Sequence, residues 1–214
     1  FPFAYALEDD EAAAINALKR DGNLLIFGYG AGYVRSGRKS IDGVSEMIGM
    51  NVSETPNLVL MIEFNPDTHP ITRGLKGFIG TGIEQGLPRI FVADPKAIAL
   101  GTIGPKRDKI GLAFKDCGNW QSVYIGCVGL IPPELLRNIA RFKGLHVYGD
   151  GGDPMYFCHD LVAIHAATEG EKRITLPEVC SVTELWSGKS LGKVSVIARP
   201  MRIGDNALYL LEKP

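Results

Sequence analysis

The stretch Gly28-Tyr29-Gly30-Ala31-Gly32 follows the apolar run Leu24-Leu25-Ile26-Phe27. A buried strand that enters a tight turn with the spacing G-x-nucleophile-x-G has the frame of a nucleophile elbow. The central residue is Gly30, which has no side chain with which to perform covalent catalysis. Tyr29 and Tyr33 do not replace it, because an unperturbed phenol ionises only at about pH 10. A phosphate cradle would need G-x-G-x-x-G or a Walker sequence with a helix opening at once, and the YVRSGRKS that follows does not read as a helix start. The residues favour a degenerate elbow at Gly28, Gly30 and Gly32, kept for a turn that needs positive φ.

A second cluster is GDGGD, residues 149–153, which sets Asp150 and Asp153 beside Tyr148 and Tyr156. Carboxylates next to aromatic rings can hold sugar hydroxyls, or less readily a cation. A polar hairpin turn is the plainer account of the same residues. A glycosidase acid/base pair needs two carboxyls roughly 5–10 Å apart in a cleft, which a two-Asp turn does not supply. Trp120 and Trp186 are sugar platforms, interface anchors or core residues. The candidate sugar-facing set is therefore Trp120, Tyr148, Asp150 and Asp153, and no catalytic residue is assigned.

The four histidines offer little more. His165 sits inside LVAIHAA as a half-buried strand residue, His146 begins a strand, His69 lies in the turn HPITRGL, and His159 with Asp160 resembles a hairpin tip. Cys117, Cys127, Cys158 and Cys180 include no C-x-x-C pair. They read as buried thiols, with one disulfide in an exported protein as the alternative. No Cys/His cluster has zinc-ligand spacing, and neither a metal nor a cofactor is expected.

The elements that hold these residues are legible in outline. Acids at Asp9, Asp10 and Glu11, apolar Ala14, Ile15 and Leu18, and a stop at Gly22 predict a first helix. Ser40 caps a short helix running through Met47 and stopping at Gly49, and Pro132-Pro133 opens a third that stops at Gly144. LLIF, NLVLMIEF (57–64), RIFVAD (89–94), AIALGTI (97–103), GLAFKD and QSVYIGCV (121–128) read as strands. An unbroken apolar run such as LLIF suggests a strand covered on both faces, as in a parallel sheet between helices. After Gly144 the pattern becomes short strands separated by turns at Gly151-Gly152, Asp153-Pro154, Glu169-Gly170, Ser187-Gly188 and Gly204-Asp205. The expected organisation is an α/β domain over 1–144 and a small antiparallel β-rich subdomain over 145–214.

With 214 residues, 45% of them hydrophobic and 22% charged, the chain can bury a proper core. A net charge of −1 without a Lys/Arg run argues against nucleic acid or an anionic membrane as the partner. No apolar run is long enough to span a bilayer. The chain begins with Phe1 rather than Met, which fits a fragment, so the compartment stays open.

In their order along the chain, several pieces resemble one family. KRDGNLLIFGYGAGYV with SIDGVSEMIGM, then HPITRGL, FVADPKAIALG, LIPPELLRNIARFKGLHVYGDGGDPMYF, LVAIHAATEGEKRITLP and VTELWSGK are similar to the glutamine-amidotransferase-like (flavodoxin-like) domain and trailing β-subdomain of beta-galactosidase-type glycoside hydrolases. The resemblance covers nearly the whole chain. It implies a partial flavodoxin-like, class I amidotransferase-like sheet, associated with oligomerisation beside a separate catalytic barrel. In class I amidotransferases the elbow carries Cys where this chain has Gly30, so no glutaminase activity carries over. Such domains also have several βα units before the elbow strand, where this chain has FPFAYAL and one helix. The expected partner is thus another part of the same polypeptide or a homo-oligomer, with carbohydrate as a ligand of the assembly. A sheet lacking half its strands would expose an apolar edge and be unstable alone.

The residues leave three functions open. The first is a non-catalytic, oligomerising module of a glycoside hydrolase. The second is a free-standing α/β hydrolase or amidotransferase-like enzyme using Cys117 or Cys127. The third is a sugar- or nucleotide-binding module.

Overall fold

A computed structural model describes residues 1–56, 59–82 and 87–212. Strands account for 42% of it and helices for 14%. The chain divides into two compact units, Phe1–Ile139 and Ala140–Pro214.

The first unit is a curled sheet with short helices. Its strands are β1 (Ala6–Leu7), β2 (Asn23–Phe27), β3 (Val34–Arg35), β4 (Arg38–Lys39), β5 (Val52–Glu54), β6 (Ile62–Phe64), β7 (Phe78–Ile79), β8 (Ile90–Val92), β9 (Ile98–Ile103), β10 (Lys109–Asp116) and β11 (Trp120–Ile125). The main sheet runs β2-β11-β10-β9-β6-β7, with β8 joined to β10 and β5, while β1, β3 and β4 form a small sheet of their own. In the main sheet β2 and β11 pair in parallel, from Asn23 opposite Trp120 to Phe27 opposite Tyr124, and the other ladders are antiparallel. Register shifts on either side of Leu112 interrupt the β10–β9 ladder, a bulge that adds local twist to the strand.

Helix α1 (Asp9–Asn16) places three acids at its positive end, and the Glu11 carboxylate accepts the Glu8 amide at 2.9 Å. It is shorter than the sequence pattern suggests, because Leu18 tightens to an i→i−3 bond on Ile15 and leaves its side chain exposed. In α2 (Ile41–Ile48) Ser40 Oγ accepts the Gly43 amide at 3.2 Å, and Val44, Met47 and Ile48 are buried. α3 (Pro133–Phe142) buries Leu135 and Ile139, and Asn138 Nδ2 donates to the carbonyls of Ile71 and Arg73. The unit's core gathers Phe27, Val44, Met47, Ile48, Met50, Ile90, Trp120 and Tyr124.

The expected α/β, flavodoxin-like or class I amidotransferase-like fold does not form. Among the described residues the three α-helices have 8, 8 and 10 residues, and antiparallel neighbours join most strands in place of the βαβ crossovers of such a fold. The difference arises at LLIF. Leu25 and Phe27 are buried while Leu24 and Ile26 are half-buried, so this strand has one covered face and not two. In the stretch 57–64 the strand is confined to Ile62–Phe64, and Asn57 and Leu58 lie outside the described residues.

The second unit is a five-stranded antiparallel sheet ordered β12-β13-β16-β14-β15, made of β12 (Met155–Cys158), β13 (Leu161–His165), β14 (Gly170–Glu184), β15 (Lys189–Met201) and β16 (Asn206–Glu212). The long β14–β15 hairpin pairs Gly170 with Met201 and Glu184 with Lys189, with a register shift between Thr175 and Cys180. Pro177, which has no amide hydrogen to give a ladder, lies inside that gap. One face of the sheet buries Val162, Ile164, Ile174, Leu176, Val182, Ile197 and Tyr209.

Candidate functional site

The glycine-rich turn is a closed backbone junction. Residues 1–7 run beside it, with the Gly28 amide donating to the Phe1 carbonyl at 3.0 Å, Gly32 to Ala4 at 2.7 Å and Val34 to Tyr5 at 2.9 Å. A Cβ on Gly28 would fall 2.5 Å from the Pro2 carbonyl oxygen. Gly30 has φ +60°, and a Cβ there would meet the Tyr5 ring at 2.8 Å. The volume that a nucleophile would occupy is therefore filled by Tyr5. The Gly30 amide donates to Tyr124 Oη at 3.3 Å, and burial raises the Tyr124 phenol well above its ordinary value, so the hydroxyl stays protonated. Burial raises Tyr29 as well, and its hydroxyl donates to the Pro88 carbonyl. The helix that would follow an elbow is displaced to α2, after the β3–β4 turn. This turn provides shape and neither a nucleophile nor an ionised phenol.

Beside the turn lies an apolar groove of about 490 Å³, lined among others by Phe3, Tyr29, Cys127, Val128 and Leu130. Phe3 and Leu130 are 94% and 95% exposed. Large apolar side chains gathered and uncovered in this way are a feature of binding surfaces.

The four candidate sugar-facing residues have different surroundings. Trp120 belongs to the first unit and is buried, edge-on to Phe27 with Lys19 Nζ 5.1 Å over its ring. The other three belong to the second unit. Tyr148 is half-buried against Phe157 (ring centroids 3.7 Å apart) and His146 (4.6 Å). Asp150 is exposed and pairs with Arg141. Asp153 is half-buried as a residue, with its side chain only 5% exposed: Lys172 Nζ lies 3.0 Å from its Oδ2, and Oδ1 accepts the Ala167 amide at 2.9 Å. Burial pushes the Asp153 carboxyl up, but the bonds from Lys172 and the Ala167 amide outweigh it and hold the carboxyl below its usual range. The GDGGD turn thus holds one solvated carboxylate and one tied into a structural pair.

A second buried pair occurs in the first unit. Lys115 Nζ donates to Asp94 Oδ2 at 2.6 Å and to the Gly49 carbonyl at 2.8 Å, and Asp94 also accepts the amides of Lys96 and Asn51. Here too burial raises the carboxyl and the bonds from Lys115, Lys96 and Asn51 bring it below its ordinary value. The sequence marks none of this, because Lys115 lies on β10 and Asp94 in the loop between β8 and β9, with no motif linking them.

None of Cys117, Cys127, Cys158 and Cys180 is joined in a disulfide. Burial pushes the Cys117 thiol up, against the direction a nucleophile needs, and its Sγ faces the Gly49 carbonyl at 3.8 Å. Cys127 and Cys180 are buried, and Cys158 is exposed at the end of β12. His69 stacks on Phe114 and accepts the Ile71 amide on Nδ1, with burial lowering its pKa. His146 Nε2 lies 2.8 Å from the Thr175 carbonyl and donates to it. Among the described residues no cluster of His, Cys, Asp and Glu could hold a metal ion, and no helix is long and apolar enough to cross a membrane.

No protein-family model and no curated protein matches the chain. Solved structures do share its fold. The beta-galactosidase from Bacillus circulans sp. alkalophilus superposes with a TM-score of 0.66 at 13% identity, over 97% of this chain and 32% of its own. The beta-galactosidase from Rahnella sp. R3 gives 0.64 at 12% identity, over 97% and 31%. A GH42 beta-galactosidase from G. stearothermophilus gives 0.62 at 16% identity, over 99% and 31%. The chain spans about a third of the length of these structures. Its fold is therefore that of a segment found in beta-galactosidase chains, and these neighbours lend no support to the amidotransferase-like and flavodoxin-like descriptions.

Proposed function

We propose that this chain is a non-catalytic module of a beta-galactosidase-type glycoside hydrolase, with turnover residing in another part of a longer polypeptide. The observation that carries this reading is the coverage: 97–99% of this chain aligns with only 31–32% of each beta-galactosidase. The internal chemistry agrees with it. The elbow has no nucleophile and no room for one, and the carboxylates of Asp94 and Asp153 are each held by a lysine. The apolar groove beside Phe3 and Leu130 is the surface through which the module meets the rest of the polypeptide or a second copy of itself.

Hydrolysis of 4-nitrophenyl β-D-galactopyranoside by the purified chain tests this reading. The expected rate is that of buffer alone. Turnover that disappears when one of this chain's own residues is changed, or on alkylation of Cys117 or Cys127, would overturn it in favour of an enzyme with its own nucleophile.

A further inference from the structure

The outer face of the second unit's sheet carries an arrangement that neither the elbow nor the apolar groove explains. Tyr156 on β12 stands opposite Ala163 on β13, and Ala163 stands opposite Leu208 on β16. The Leu185 amide donates to the Leu208 carbonyl at 2.8 Å, which brings the β14–β15 turn and its Trp186 beside the same row. Tyr156 is 69% exposed and Trp186 63% exposed, while the opposite face of these strands buries Ile164, Ala207 and Tyr209. Both aromatic residues line a cavity of about 340 Å³, with Ala163 and Leu208 among the other lining residues. With strands spaced about 4.8 Å apart, the backbones that bear the rings are on the order of 10–15 Å apart. That span leaves room for a ligand the size of one six-membered sugar ring.

One end of the cavity is polar, and its hydrogen-bonding sense is fixed. Asn206 Nδ2 donates to the Gly204 carbonyl at 3.1 Å, so Oδ1 is the amide's free acceptor. His165 Nδ1 lies 2.8 Å from that Oδ1 and must donate to it, which leaves Nε2 of the neutral ring as an acceptor. Among the described residues that line it none is Asp, Glu, Lys or Arg, so the site suits an uncharged ligand. A stable protein interface needs roughly 800 Å² from each partner. A small cavity lined by two exposed aromatic residues and a histidine acceptor matches a small polyhydroxylated ring better than a protein surface.

We propose that this slot is a pyranose-binding subsite, with Tyr156 and Trp186 stacking on the C–H faces of a neutral sugar and His165 accepting a hydroxyl. The choice of galactose as the sugar rests on the module reading above; the slot itself does not.

The chain has two tryptophans, so its indole N–H resonances report the site directly during titration of the full chain with methyl β-D-galactopyranoside. The Trp186 resonance is expected to shift saturably in the millimolar range while the Trp120 resonance stays still. Tyr156→Ala is expected to raise the midpoint at least tenfold and His165→Ala to raise it too, with an unmoved Trp120 resonance showing an intact fold; Tyr156→Phe keeps the wild-type midpoint. A shift that fails to saturate, a midpoint indifferent to Tyr156→Ala, or a Trp186 resonance that follows protein concentration in place of sugar would overturn the proposal, the last by assigning the slot to a second copy. Any of these removes the subsite alone, since the module reading is decided by turnover of the chain.

Discussion

The amide of Gly30 points into the core and is received by the hydroxyl of Tyr124 at 3.3 Å, while the Tyr5 ring covers the place where a side chain on Gly30 would stand. The turn is thereby locked from both sides of its backbone.

Restoring a nucleophile there is expected to fail. Gly30→Ser would place an L-residue at φ +60°, costing about 1–2 kcal/mol. It would also displace the Tyr5 ring, for about 1–3 kcal/mol more. Thermal denaturation should show the loss, and ester hydrolysis should stay at background. A stable, esterolytic Gly30→Ser would show that the cover at Tyr5 opens.

Acid should weaken the first unit through Asp94. Its carboxyl sits below the ordinary range when folded, so the unfolded chain binds the proton more tightly. The contribution is complete above the unfolded carboxylate pKa of about 4 and disappears as pH falls through the folded value. Lys115→Met should cost about 3 kcal/mol at neutral pH by leaving the buried carboxylate without its cation. It should also flatten the acid limb of a stability–pH profile. An unchanged limb would place the acid sensitivity elsewhere.

The two aspartates of GDGGD should separate cleanly. Asp153→Ala strands Lys172 Nζ, whose remaining bond is to Thr168 Oγ1 at 2.6 Å, and should destabilise the second unit by about 3 kcal/mol. Amide hydrogen exchange in β13 and β16 should accelerate accordingly. Asp150→Ala removes an exposed pair with Arg141 and should leave the same amides protected. Equal effects from the two substitutions would contradict the different burial of the two carboxylates.

The two tryptophans should also differ. Trp186 faces solvent and Trp120 is buried, so iodide should quench one part of the emission. Trp186→Phe should leave a blue-shifted remainder that iodide hardly reaches. Trp120→Ala should cost about 3–5 kcal/mol as a core cavity, and strong quenching in Trp186→Phe would show that the core around Trp120 admits solvent.

Features decided within a few residues were legible in the sequence. Ser40 and Gly49 bracket α2, and Pro133 opens α3, because caps and stops act locally. The sheet was not legible, because four apolar residues in a row at LLIF hide which face is covered and which strand lies alongside. Trp120 and Trp186 look alike in sequence, and only the neighbouring strands bury one and leave the other out. Asp150 and Asp153 share five residues, yet their fates are set by Arg141 and Lys172, which no local pattern connects to them. The cavity lined by Tyr156 and Trp186 is illegible in the sequence for the same reason: the two residues come from β12 and from the β14–β15 turn, and only strand pairing unites them.

The parallel pairing of β2 with β11 joins segments about a hundred residues apart. At a synthesis rate of about 5–20 residues per second, β2 leaves the ribosome roughly 5–20 s before β11 exists. For that interval Leu25 and Phe27 have no strand beside them, and chaperones or premature contacts can reach them. The birth of this unit is therefore timed by its last strand, and slowing translation ahead of Trp120 should lower the soluble yield.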